Sequence, residues 1–375
     1  MTRRMSAILD CLRWVSAVTV LIDHTSNLML MRLINTPAPF RSAALYLWVF
    51  SAGFGHQAVT VFFVLSGFLV GGPLIGHVKQ NGQIPWKKYL VDRLVRIQLV
   101  LIPALIATYV FDKLTFHVNP EWAREFVQYH TSWQIFFGNV LSLQNFYIFT
   151  FGSDGPIGTL AIEMWFYISF PLFLAAFCRN YSTSRRLWLL ILAIAVNIAL
   201  GIAQPAYLLG FIVWGIGVLA RVWKGPVFER PLIPTALFIL VLLAIRAVMR
   251  REMSANIWYL FLADLPLAIA LFMFLASFLR RPDTEGSVFL AAFHKRVAGF
   301  SYSLYAVHMP LLFLLSALSK LWFGFGIMDV VQHSSQWLLV LAAMSICVTF
   351  AYLFSLATER HTFPLRKWVF ARIGG

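Results

Sequence analysis

Arg13 and His24 stand in one apolar segment near the start of the chain, which runs Leu9-Asp10-Cys11-Leu12-Arg13 through to Leu21-Ile22-Asp23-His24. Over that interval an ideal helix turns through about 1100° and rises about 16 Å, so both side chains fall on one face at two depths. Ionisable groups inside an apolar helix are costly in lipid and mark functional pathways. His24 has the chemistry of a general base. Arg13 reads either as an anion-binding group or as a side chain snorkelling to lipid phosphate. Asp23 precedes His24, but neighbours in sequence point about 100° apart on a helix, so it is not an obvious dyad partner.

Four further stretches carry reactive side chains. Glu163 lies a few residues into the apolar segment that opens Gly158-Thr159-Leu160 and continues Trp165-Phe166-Tyr167. A carboxylate at that depth normally has a partner, and one that orients an imidazole makes histidine a competent base; the alternative is a structural ion pair. Arg93 and Arg96 stand three apart on one helix face in Lys87-Lys88-Tyr89-Leu90-Val91-Asp92-Arg93-Leu94-Val95-Arg96. Two guanidinium forks suit a phosphorylated ligand, or else anchor the helix at an interface. The stretch Phe62-Phe63-Val64-Leu65-Ser66-Gly67-Phe68, followed by Gly71-Gly72-Pro73, offers small residues for close helix approach. His308, in Ser301-Tyr302-Ser303-Leu304-Tyr305-Ala306-Val307-His308-Met309-Pro310, is a second intramembrane histidine beside a proline that would kink its helix. Packing and catalysis both account for it.

The elements that must hold these groups are membrane helices. Of the 375 residues, 60% are hydrophobic and 12% charged, and the mean hydropathy is +0.77. Soluble domains carry about 25% charged residues, so the expected class is an all-α polytopic membrane protein. Apolar segments run at 8–31, 57–75, 95–112, 160–177, 187–203, 206–222, 232–249, 257–279, 298–320 and 335–357. About ten spans therefore form one transmembrane domain over 1–375, with no soluble domain expected. The less apolar stretch 133–149, with Gln134, Asn139, Ser142, Gln144 and Asn145, is expected to be re-entrant or interfacial.

The net charge of +15 could suggest nucleic acid, but the placement of the basic residues argues otherwise. They gather on alternate loops, as the positive-inside rule requires. One set holds Arg3 and Arg4; Lys79, Lys87, Lys88, Arg93 and Arg96; Arg179, Arg185 and Arg186; Arg221, Lys224 and Arg230; Arg280, Arg281, Lys295 and Arg296; and Arg360, Arg366, Lys367 and Arg372. The other set is sparser, with Arg32, Arg41, Lys113, Arg124, Arg246, Arg250, Arg251 and Lys320. This pattern places both termini in the cytoplasm. It also makes the longer connections 32–56 and 113–157 external, able to roof a site. The basic start resembles a signal peptide, but Asp10, Arg13 and Asp23 interrupt its apolar run, so it is read as a retained first helix. Cys11, Cys178 and Cys347 give neither a disulfide framework nor a metal spacing, and no metal is expected.

In this order the five stretches resemble the acyltransferase 3 family of bacterial membrane O-acyltransferases. The opening Leu-Asp-x-Leu-Arg with His24, the pattern Phe62 to Phe68, Arg93-x-x-Arg96, Glu163 before Phe166-Tyr167, and Ser301 to His308 with Pro310 match the family motifs over about 9–365. Gly158-Thr159-Leu160 departs from the family's usual Trp-Ser-Leu, and Val307 stands where tryptophan often precedes the late histidine. Both departures bear on the acceptor pocket more than on the chemistry.

The resemblance implies acyl transfer from cytoplasmic acyl-CoA, acetyl-CoA above all, to a hydroxyl of a glycan or lipid-linked saccharide outside a bacterial inner membrane. It implies no permanently bound cofactor. His24 and Glu163 would be catalytic, and Arg13, Arg93 and Arg96 would bind acyl-CoA. Asp10, Ser66, Tyr167, Ser301, Tyr302 and His308 would be supporting groups. The competing reading is a transporter or flippase in which His24 and Glu163 titrate during transport. Such proteins often carry a repeat, and none is visible here.

Overall fold

The computed structural model describes residues 2–248, 256–279, 281 and 291–372. The charges at Arg250, Arg251 and Arg280, and the end of the apolar segment 232–249, lie outside the described residues. Helix accounts for nearly all regular structure, and the described residues form no strand beyond two isolated bridges. Nine helical runs among the described residues are long and apolar enough to cross a membrane. The tenth expected span is the helix Leu232–Val248, apolar but 17 residues long. The second is longer than expected, a helical run over Ala43–Asn81 interrupted by a turn at Gly53 and Phe54.

In chain order the helices are α1 (Arg3–Met29), α2 (Ala43–Ala52), α3 (Gly55–Ser66), α4 (Gly72–Asn81), α5 (Trp86–Val118), α6 (Pro120–His130), α7 (Trp133–Val140) and α8 (Ile157–Leu174). They continue as α9 (Thr183–Ala203), α10 (Pro205–Val222), α11 (Leu232–Val248), α12 (Ile257–Phe278), α13 (Ala291–Ala298), α14 (Ser301–Phe323), α15 (Gln336–Ala357) and α16 (Thr362–Arg372). Local chemistry sets many of the ends. Ser42, Asn119, Ser132, Ser182 and Asn256 accept from backbone N–H groups of the first turns of α2, α6, α7, α9 and α12. Gly82 and Gly324 close α4 and α14 at φ +69°, where a side chain would be strained. Helix α7 has eight residues, about 12 Å, so the 133–149 stretch does not cross a bilayer. Outward faces are apolar: Leu187, Trp188, Ile191, Leu192, Ile194 and Ile198 along α9 are all exposed. In a bilayer such a face meets lipid.

Contacts divide the chain into two compact units interleaved in sequence. The first comprises Met1–Arg13, Gln57–Arg93 and Ile162–Lys295. Its core joins Met5 and Leu9 of α1, Val61 to Phe68 around the end of α3, Val213 and Ala220 of α10, and Leu271 to Leu279 of α12. The backbones of α3 and α10 touch. A Cβ on Gly67 would fall on the Trp214 carbonyl, and one on Gly217 would fall on the Val64 carbonyl. At this crossing the helix loosens into a π turn over Gly67–Gly71, a local widening of the kind often found at functional sites. Lower down, Tyr207 is buried with Ser169 and Asn197 as hydrogen-bond partners at 2.7 and 2.9 Å.

The second unit comprises Trp14–His56, Leu94–Ala161 and Arg296–Gly375. Helices α14 and α15 pack along each other, and Trp122 of α6 lies 4.8 Å from Phe313 of α14, ring centre to ring centre. The end of α1 is stitched to the connection after α14: Asp329 donates to Met29 O at 3.0 Å, Met31 donates to Asp329 O at 2.9 Å, and Met328 donates to Leu28 O at 2.9 Å. Lys320 holds the Asp329 carboxylate at 2.7 Å. Those bonds fix the register of α1 against α14.

The 141–156 connection is tied down by buried polar side chains. Asn139 donates to Phe149 O at 3.0 Å and accepts from Phe151 N at 3.1 Å, and Gln144 donates to Ile157 O at 3.1 Å. Ser153 donates through its hydroxyl and its N–H to Asp112 at 2.5 and 2.9 Å. Burial pushes the Asp154 carboxyl well above the usual carboxylate range, and the neighbouring Asp112 pushes it further.

The α3–α10 contact leaves no room for a methyl group. Gly67→Ala and Gly217→Ala should each destabilise the folded protein by about 1–3 kcal/mol, read as a lower thermal midpoint in detergent. Gly76→Ala, where a Cβ meets nothing within 4 Å, is the matched control and should be near neutral.

Candidate active site

The second unit brings His24 and His308 together, although 284 residues separate them. Nδ1 of His24 lies 2.7 Å from Nε2 of His308. The ring planes are within 9° of parallel and the centroids are 5.0 Å apart. The gap between those two distances is taken up by the two ring radii, so the rings meet edge to edge in one plane through a hydrogen bond. His308 is 1% exposed, and its Nδ1 sits 3.0 Å from the carbonyl oxygens of both Leu304 and Tyr305. His24 is half-buried.

Helix α14 is braced on the N-terminal side of His308. Tyr305 OH lies 2.6 Å from Thr159 Oγ1, whose own hydrogen goes to Pro156 O at 2.9 Å, so the tyrosine donates. Ser301 donates to Ala298 O at 2.9 Å. Ser303 donates to Glu359 at 3.0 Å through its hydroxyl and at 3.2 Å through its N–H, placing a carboxylate at the α14 N-terminus, where the helix dipole favours it. Tyr302, beside these, is partly buried.

The first unit carries Glu163 at the end of a hydrogen-bonded chain. Tyr167, one turn along α8, donates to Glu163 Oε1 at 2.5 Å. With that proton committed, Ser66 donates to Tyr167 OH at 3.0 Å, and Trp214 Nε1–H donates to Ser66 Oγ at 3.1 Å. Three groups thus point in sequence toward one carboxylate. The Arg93 guanidinium lies 5.9 Å from the centre of the Tyr167 ring. Arg96 follows it three residues on along α5. Asp10 and Arg13, one turn apart on α1, form an ion pair at 3.8 Å. Some of the Arg13 charge is therefore balanced within its own helix.

A family model described as an acyltransferase domain matches residues 6–356. The chain belongs to this acyltransferase 3 family. Two curated proteins are similar to it. The peptidoglycan O-acetyltransferase OatA of Listeria monocytogenes serovar 1/2a is 29% identical over 182 residues, covering 45% of this chain and 24% of that protein. YrhL of Bacillus subtilis strain 168, named provisionally for the same activity, is 28% identical over 127 residues, covering 32% of this chain and 19% of that protein. The chain therefore spans about a quarter or less of either relative's length. No solved structure matches.

Set against the family pattern, the two departures acquire physical reasons. A Cβ at residue 158 would fall on the Asn145 amide, so Gly158 admits that side chain. Thr159 supplies the acceptor for Tyr305, one turn from His308. Val307 is fully buried, so a larger residue there would have to displace its surroundings.

Three participants escaped the sequence reading. Trp214 sits in an apolar helix and carries no signal by itself. The Tyr305–Thr159 bond joins distant segments. Asp264 had a visible signal, since it is an acid within the apolar stretch 257–279; it accepts from Thr60 Oγ1 at 2.5 Å.

Tyr167→Phe keeps the ring but removes the hydroxyl on which Ser66 and Glu163 depend. It should cost about 1–3 kcal/mol of unfolding free energy through lost hydrogen bonding in a buried setting, measured by thermal or denaturant unfolding in detergent. An unchanged midpoint would mean that the chain from Trp214 to Glu163 does not bear on stability.

Proposed function

We propose that the protein is a membrane O-acyltransferase that moves an acyl group, acetyl first and succinyl as the alternative, from cytoplasmic acyl-CoA to a hydroxyl of a cell-surface glycan. The observation that carries this reading is the hydrogen-bonded pair of His24 and His308 inside the matched acyltransferase domain. Peptidoglycan is the first acceptor to test, because both curated relatives carry that substrate in their names.

In this reading both termini lie in the cytoplasm and the membrane is the bacterial inner membrane, in line with the loop charges. Arg93 and Arg96 hold CoA phosphates at the inner face through bidentate, charge-assisted hydrogen bonds. Arg13 lines the donor's path. The rise of about 16 Å from Arg13 to His24 along α1 suits the reach of a pantetheine arm. His24 takes the proton of the acceptor hydroxyl as its oxygen attacks the thioester carbonyl. Glu163, the second catalytic group in this reading, gives electrostatic support to the imidazole as charge develops on it.

His24→Ala should lower acyl transfer by about 10²–10⁴-fold with the protein still folded in detergent. The assay is CoA release from radiolabelled acetyl-CoA by purified protein, with and without cell-wall glycan fragments. Full activity in a well-folded His24→Ala protein would overturn the mechanism. A protein that releases no CoA and labels no acceptor under any condition would fit a transporter. Replacing Arg93 and Arg96 together by Gln should raise the Kd for acetyl-CoA roughly tenfold or more, each charged hydrogen bond contributing about 1.5–3 kcal/mol. Unchanged donor affinity would reassign the pair to anchoring the helix.

A further inference from the structure

We propose that His308 sets the tautomer of His24, holding its proton on Nδ1 and leaving Nε2 as the lone pair that receives the acceptor's proton. This rests on the reading of His24 as the base. The inference follows from donors and acceptors alone. His308 Nδ1 lies 3.0 Å from two backbone carbonyl oxygens, and a carbonyl cannot donate. Nδ1 of His308 therefore carries a hydrogen, and a neutral imidazole with a protonated Nδ1 has Nε2 as its acceptor. That acceptor is the atom facing His24 at 2.7 Å. His24 must then donate from Nδ1, and its remaining lone pair is on Nε2. No hydrogen bond to His24 Nε2 is found among the described residues, so this nitrogen is the one left for substrate.

The coplanar contact adds direction to the assignment. A bond in the plane of both rings fixes the rotation of the His24 ring, so the Nε2 lone pair has one heading. The backbone bonds between the end of α1 and the connection after α14 hold the two rings in register. His308 is thus a positioning residue, doing for this histidine what a carboxylate does in a serine hydrolase triad. During transfer the acceptor O–H proton moves to Nε2 as the oxygen bonds to the thioester carbon. The C–S bond then breaks, and the thiolate recovers that proton from Nε2. Throughout, Nδ1–H stays bonded to His308, which shares the transient positive charge.

The test reads the tautomer directly. Protein with ¹⁵N-labelled histidine is placed in lipid nanodiscs, and the His24 resonances are assigned by their loss in His24→Ala. His24 is expected to show a protonated Nδ1 and an unprotonated Nε2. A proton on Nε2 in the unsubstituted protein would overturn the proposal, and that reading needs no folded His308 variant. In His308→Leu the Nε2–H form should grow, and kcat for CoA release from acetyl-CoA should fall about 10²-fold with KM for acetyl-CoA little changed. His308→Gln, whose amide oxygen can accept in place of Nε2, should recover part of both. An unchanged His24 tautomer in folded His308→Leu would also sink the idea. If instead His24→Ala stays active while the tautomer is as stated, the base reading fails and the assignment of the pair stands.

Discussion

A polar side chain inside an apolar helical unit must find its partner within the protein, because lipid offers none. That constraint organises the second unit around two imidazoles. His308 is sealed in α14, satisfied on one edge by backbone carbonyls and on the other by His24. Displacing α14 by one residue would turn its face by about 100° and separate the rings. Much of the nearby bonding resists that slip. The backbone stitch between Met29, Met31 and Asp329, the Tyr305–Thr159 bond and the Ser303–Glu359 bonds all act on α1 or α14.

The first unit obeys the same rule with different parts. Glu163 is held through Tyr167, Ser66 and Trp214, which come from three helices and bond in a single direction. That order needs α3 and α10 close enough for Trp214 to reach Ser66. Gly67 and Gly217 provide the approach by presenting bare backbone to each other's neighbours. The π turn at Gly67–Gly71 follows directly after Ser66, so the widened helix, the close contact and the polar chain occupy one place. The glycines look like packing in the sequence, and their consequence is electrostatic.

The spans were legible because lipid demands long apolar runs, and nearly all of them fall where hydropathy puts them. The stretch 133–149 holds only the eight-residue α7, and the structure uses Asn139 and Gln144 to close a compact connection. Boundaries were less legible, because α2 and α4 extend the second run well beyond its apolar centre. Among the candidate groups, Arg13, His24, Glu163 and His308 announced themselves by being polar in apolar surroundings. Their partners did not. Tyr167 to Glu163 is a local pairing at one-turn spacing and could be read, whereas Trp214 to Ser66 crosses 148 residues.

Taken alone, the sequence determined the helical membrane class, the order of the motifs and several of the ionisable groups set within apolar helices. Each of those depends on composition and on spacing within one helix, which a linear chain carries in full. Tertiary structure decided which nitrogen faces which carbonyl, and that His24 has an imidazole as its bonded neighbour. A tautomer is set by the groups around a ring, and those groups are supplied by a helix that begins hundreds of residues away. Only the packing of that helix puts an acceptor, where a donor was equally conceivable, against Nδ1 of His24.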